Sequence, residues 1–166
     1  MPLALPLRRM PTATQLAEFL RDLLGKEVTL TPRTDELGVD DSAGDVSTLL
    51  SGVLLEEDGS VGGACIADLS AAAYAGASLA MIPKGAADEA VAAGALTQTL
   101  IDNFGEVVNI VTGIVNTPIS AHLRMSGVEP GVPDAVRDML IKAAGRSTFD
   151  IDVEDYGAGK IALFAR

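Results

Sequence analysis

A chain of 166 residues has room for one ordinary domain, and 48% hydrophobic residues suffice for a core that needs no covalent staples. One cysteine, Cys65, and one histidine, His122, exclude a disulfide framework and leave too few ligands for a conventional zinc site. Twelve Lys+Arg against 23 Asp+Glu give a net charge of -11, which argues against nucleic acid and acidic membrane surfaces as partners; 4% aromatics without Trp argue against base-stacking platforms.

Residues 1–11 are apolar and short, and Arg8 and Arg9 follow the apolar part, the reverse of a secretory signal. They read as a flexible N-terminal tail ahead of a single domain over residues 12–166. No segment reaches the roughly 18 apolar residues of a membrane span, so a cytoplasmic protein without a membrane partner is expected.

Residues 12–24 show the apolar spacing of an amphipathic helix, with Leu16, Phe19, Leu20, Leu23 and Leu24 on one side and Gly25 after it. A short extended piece at 28–30 leads into a Pro-, Asp- and Gly-rich loop at 31–45. Two strands, 48–56 and 61–68, flank Glu57-Asp58-Gly59-Ser60, a hairpin signal. The second strand is rich in Gly and Ala, which predicts close packing against it. Helices follow at 69–81 and 88–93, with a break at Pro83-Lys84-Gly85. The strongest helix is 97–115, stopped by Asn116-Thr117-Pro118. Residues 119–125 read as extended, 127–133 as a Gly/Pro loop, and 134–144 as a helix entered through Pro133. Strands at 148–153 and 160–166 close the chain as a hairpin. The fold class expected is α+β, a largely antiparallel sheet with long helices packed on one face. Residues 160–166 read as an edge strand, through which a homodimer could form by sheet extension.

The helix at 97–115 carries the functional information. Leu100, Phe104, Val107, Val108, Val111, Ile114 and Val115 share one side. With Asp102 set at zero, Glu106 falls near about +40° and Asn109 near about -20°. Thr99, Gly113 and Asn116 lie in the same band. Asp102, Glu106 and Asn109 thus stand one turn apart in succession, facing away from the apolar stripe. A solvated face is the plainest reading of such a stripe. Against it, the stripe lacks Lys and Arg, so it is no ladder of ion pairs. It also places Asn and Gly in a helix interior, each less favourable than Ala by up to about 1 kcal/mol. Gly113, beside Asn109, leaves room for a close approach by another molecule.

The pattern Asp102-x-x-x-Glu106-x-x-Asn109 resembles the signature of the CheC/CheX/FliY chemotaxis phosphatase family. The order of leading helix with Leu23-Leu24-Gly25, Gly-rich hairpin, helix and motif helix resembles its CheX-like members. A corresponding pattern on the first helix would fall on Thr14, Glu18 and Arg21; Arg21 replaces the Asn, so this is a one-site chain. The family also carries a proline beyond the Asn; here Pro130 and Pro133 bracket that place.

The resemblance implies a CheC/CheX-like fold and hydrolysis of the phospho-aspartate on a response-regulator receiver domain. It implies that Asn109 orients the attacking water, that Glu106 pairs with the receiver's lysine, and that Asp102 and Gly113 contact the partner. Mg²⁺ would be held by the receiver, and no cofactor or metal is expected on this chain. Two other readings stay open: a non-catalytic dimeric interaction module of the same fold, binding a receiver or flagellar-switch protein, and an unrelated α+β ligand-binding domain.

Other acidic groups carry less. Glu56-Glu57-Asp58 and the group Asp150, Asp152, Glu154 and Asp155 lack the spacing of a calcium loop and read as wet surface, as do Asp40, Asp41 and Asp45. Gly62-Gly63-Ala64-Cys65 lacks the Lys-Ser/Thr of a phosphate loop, and Cys65 reads as a small core residue.

Overall fold

The computed structural model describes residues 10–37, 48–116 and 122–166. Thr12 starts α1 (Ala13–Leu24) through a capping box. Its hydroxyl accepts from the Gln15 N–H at 3.1 Å, and the Gln15 side-chain oxygen accepts from the Thr12 N–H at 3.0 Å. Gly25 ends the helix in the left-handed region, at φ 67°, donating its N–H to the Arg21 carbonyl. Then come β1 (Val28–Arg33), β2 (Leu49–Leu55), β3 (Val61–Asp68), α2 (Leu69–Leu79), α3 (Lys84–Ala93), α4 (Gln98–Val115), β4 (Arg124–Pro130), α5 (Asp134–Lys142), β5 (Gly145–Val153) and β6 (Gly157–Ala165). Among the described residues no helix is long and apolar enough to cross a membrane.

Among the described residues, six strands form one antiparallel sheet in the order β1-β5-β6-β3-β2-β4. The architecture is α+β, as expected. Period-two alternation gives the central strands two buried faces. Leu50, Leu54, Cys65, Ala67, Ile161 and Leu163 face a core shared with α1, α2 and α4. Leu49, Val53, Ala64, Ile66, Ala162 and Phe164 face a second core, closed by Val136, Met139 and Leu140 of α5. The long helices therefore lie on one face, and the short α5 covers the other.

Small residues set the distance between layers. A Cβ on Gly52 of β2 would stand 2.7 Å from Val108 Cγ1, so α4 rests almost directly on the sheet. A Cβ on Gly76 of α2 would stand 2.8 Å from the Leu100 carbonyl oxygen, so α2 and α4 touch nearly backbone to backbone. Helix α2 is buried on several sides, and its Ala-rich sequence follows from that confinement.

Several expectations need correction. Residues 160–166 are no edge: β6 lies between β5 and β3, with Ile161 opposite both Phe149 and Ala67. The edges are β1 and β4. Residues 127–130, read as a loop, belong to β4. The extended segment expected at 119–125 begins in residues 119–121, outside the described residues. The turn signals Gly127 and Pro130 misled because an edge strand tolerates both. Met10 is half-buried and Pro11 buried, so the packed chain begins before residue 12; residues 1–9 lie outside the described residues, as do Asp40, Asp41 and Asp45.

Candidate functional site

Helix α4 is anchored before it is displayed. Thr97 caps it, its hydroxyl accepting from the Leu100 N–H at 3.3 Å. Leu100, Phe104, Val107, Val108, Val111 and Val115 are all buried, and Ile114 is half-buried. Phe104 is wholly enclosed, and burying an aromatic ring of that size contributes on the order of 3 kcal/mol. Thr112 is also buried, its hydroxyl donating back to the Val108 carbonyl at 2.7 Å. One side of the helix is thus fixed in the core, which gives the opposite side a rigid base.

That opposite side holds the residues singled out from the sequence. Asp102, Glu106, Asn109 and Gly113 are all exposed. Asp102 is oriented by its own helix: the Gln98 side-chain amide donates to one of its oxygens at 2.8 Å. The side chains of Glu106 and Asn109 make no hydrogen bond or ion pair with the described residues. Around Gly113 no described residue lies within 4 Å of where a Cβ would stand. A carboxylate and a carboxamide, adjacent on a packed helix and uncommitted, are available to a visiting molecule. Chemically the pair offers one anionic acceptor and one group that both donates and accepts.

Asn116 belongs elsewhere. It is half-buried, and its amide grips the backbone of Leu123, donating to the carbonyl and accepting from the N–H, both at 2.8 Å. It ties the end of α4 to Leu123 rather than joining the exposed stripe.

Two neighbours of the stripe were not read from the sequence. Ile110 is 38% exposed, directly beside Asn109, an apolar residue turned to solvent. A groove of about 330 Å³ runs between α4 and β4, with Asp102 and Glu106 on its rim and Ile101, Gly105, Met125 and Val128 below them. Exposed Ile110 breaks the 3.6-residue pattern and could have been noticed. The groove leaves no such signal, because it depends on β4, whose Gly127 and Pro130 resemble loop residues.

The other candidates resolve as structure. On α1, Thr14 and Glu18 are exposed, while Arg21 is half-buried and pairs with Glu27 at 3.0 Å. Asp150 is bound by the Arg33 guanidinium at 2.9 and 3.1 Å, and Asp35 takes the other side of the same guanidinium. Arg33 holds the Asp35 carboxyl below the usual carboxylate range. Asp152 faces solvent. Cys65 is buried, and burial pushes its thiol up to about 12, leaving it unreactive at neutral pH. His122 is exposed, just ahead of β4. Among the described residues no group of three His, Cys, Asp or Glu could hold a metal ion.

No family model matches this chain. No curated protein matches it either. Among solved structures it is similar to FliY of Thermotoga maritima, at 16% identity and a TM-score of 0.56, over 90% of this chain and 81% of that one. It is similar to the FliM middle domain of Vibrio alginolyticus, at 12% identity and a TM-score of 0.58, over 92% and 86%. A chain of the CheX-CheY complex with BeF3 and magnesium from Borrelia burgdorferi matches at 15% identity and a TM-score of 0.48, over 90% and 91%.

Proposed function

We propose that this chain, which has the fold of the CheC/CheX/FliY family, removes the phosphoryl group from the phospho-aspartate of a response-regulator receiver domain. The observation that carries the reading is the exposed, uncommitted pair Glu106 and Asn109 on a helix packed along its whole opposite side.

An acyl phosphate is already reactive, and the receiver would bring Mg²⁺ and a lysine to its phosphoryl oxygens. What remains is to place a water in line with the phosphorus. Positioning and charge stabilisation account for most of phosphoryl-transfer catalysis, so the reaction requires no nucleophile or cofactor of this chain. The Asn109 carboxamide would accept from the attacking water and donate to a phosphoryl oxygen. Its short side chain and packed helix limit the freedom lost on docking. Glu106, one turn away, would pair with the receiver's lysine and fix the register. Asp102 and Gly113 would border the contact.

The likeness to a FliM middle domain favours one second reading: a non-catalytic dimeric module of the same fold that binds a receiver or a flagellar-switch protein. A homodimer built by sheet extension would have to use β1 or β4, since β6 is internal.

A loss-of-phosphate assay separates the two. A panel of phosphorylated receivers is followed with and without this protein. The phosphatase reading expects faster decay of at least one of them. Binding with no acceleration on any receiver would leave the module.

A further inference from the structure

We infer that the groove between α4 and β4 is a docking subsite for a basic side chain of the partner, distinct from the receiver lysine assigned to Glu106. The inference rests on reading the exposed face of α4 as the partner-docking face.

The chemistry of the groove selects its occupant. Its rim carries two carboxylates, Asp102 and Glu106, and among the described residues no lysine or arginine lines it. Below the rim, half-buried Ile101, Met125 and Val128 offer an apolar wall. A carboxylate rim over an apolar wall suits a side chain with an aliphatic stem and a charged end, which is lysine or arginine. Asp102 is prepared for that end: Gln98 holds one of its oxygens and leaves the other without a partner. The two carboxylates stand one turn apart, about 6 Å between Cβ atoms, so two cations can be paired separately. Helix α4 itself contains no cation that would compete.

Gly105 keeps the groove open. A Cβ there would meet Val128 Cγ2 at 3.5 Å and Met125 Cε at 3.6 Å, which is ordinary contact. A leucine at this position would carry three more carbons toward Val128 and Met125 and so crowd the groove.

The test uses purified receiver domains loaded with beryllofluoride and Mg²⁺, with affinity measured by titration against the full chain and against Gly105→Leu and Asp102→Lys. Each variant is expected to bind about tenfold more weakly or worse. Replacing the matching basic residue of the receiver by Glu should restore the affinity of Asp102→Lys and leave Gly105→Leu weak. Asp102 is exposed, so its variant carries the test even if Gly105→Leu does not fold. Unchanged affinity in Asp102→Lys overturns the subsite. Phosphate loss on the same receivers keeps the two ideas apart. Groove-dependent binding without hydrolysis supports the subsite and contradicts the phosphatase. Hydrolysis with groove-independent binding does the opposite, and no binding by any receiver overturns both.

Discussion

Asn109 and Gly113 are poor residues for stability in an exposed helix, and that cost is measurable. Gly113→Ala meets nothing within 4 Å and should stabilise the fold by up to about 1 kcal/mol, read as a higher urea midpoint. The same variant should weaken partner binding, because the gap beside Asn109 is then filled. A lower midpoint would contradict the open surface seen here. Asp68 raises a different residue-scale question. One of its oxygens accepts from the N–H of Ala71 at 2.9 Å and of Lys160 at 3.1 Å, tying α2 to β6. Burial pushes its carboxyl above the ordinary aspartate value, against the pull of those two bonds. A raised carboxyl contributes stability below the ordinary aspartate range, lost as pH rises through the raised value. Asp68→Asn keeps an acceptor and removes the half-buried charge. Its melting temperature should be at or above that of the unaltered protein at pH 7, the difference shrinking as the pH falls below the ordinary aspartate range. Asp68→Ala, which loses the cap, should cost about 1 kcal/mol. If Asn at this position is as damaging as Ala at pH 7, the burial argument fails.

Helix α4 displays its residues only as well as α2 supports it. Gly76→Ala would drive a methyl to within 2.8 Å of the Leu100 carbonyl oxygen, a rigid backbone atom. The helices must separate, at an expected cost of about 1–3 kcal/mol in a thermal or urea melt, with weaker partner binding as α4 shifts. Unchanged stability would mean that the two helices are less closely seated than described. Elements with strong internal periodicity were legible from sequence. The helix expected at 97–115 lies within a residue of its observed ends, with Asp102, Glu106 and Asn109 exposed and Phe104 and Val108 buried as the periodicity predicts. Strand β3 has the bounds expected from its sequence, because the Glu57-Asp58-Gly59-Ser60 turn precedes it and a helical segment follows it at once. Legibility ended where tertiary packing overrides local signals. Gly127 and Pro130 read as loop but lie in an edge strand. Gly157 and Gly159 read as turn, yet both belong to β6, where Gly159 brings the strand onto the backbone of Ala71. Asn116 lay in the polar band by angle and turned inward to hold Leu123. The groove depended on β4 and was lost with it.

At the scale of the molecule, a net charge of -11 and an acidic, cation-free α4 face point to a basic partner surface. The two sheet edges are both interrupted, β1 by Pro32 and β4 by Pro130 and by a register shift opposite Val53 and Leu54. A strand that lacks a donor or bulges is poor at recruiting another strand, so α4 is the better-formed docking element. Its rigidity comes from the core it shares with α1, α2 and one face of the sheet, and its reach comes from leaving Glu106 and Asn109 outside that core. The most direct measurement is the first-order decay of a phosphorylated receiver at saturating amounts of this protein and of Asn109→Ala. The account predicts that the unaltered chain accelerates the decay and that the variant loses about 10²-fold or more of that acceleration while still binding the receiver. Equal acceleration by both proteins would contradict it.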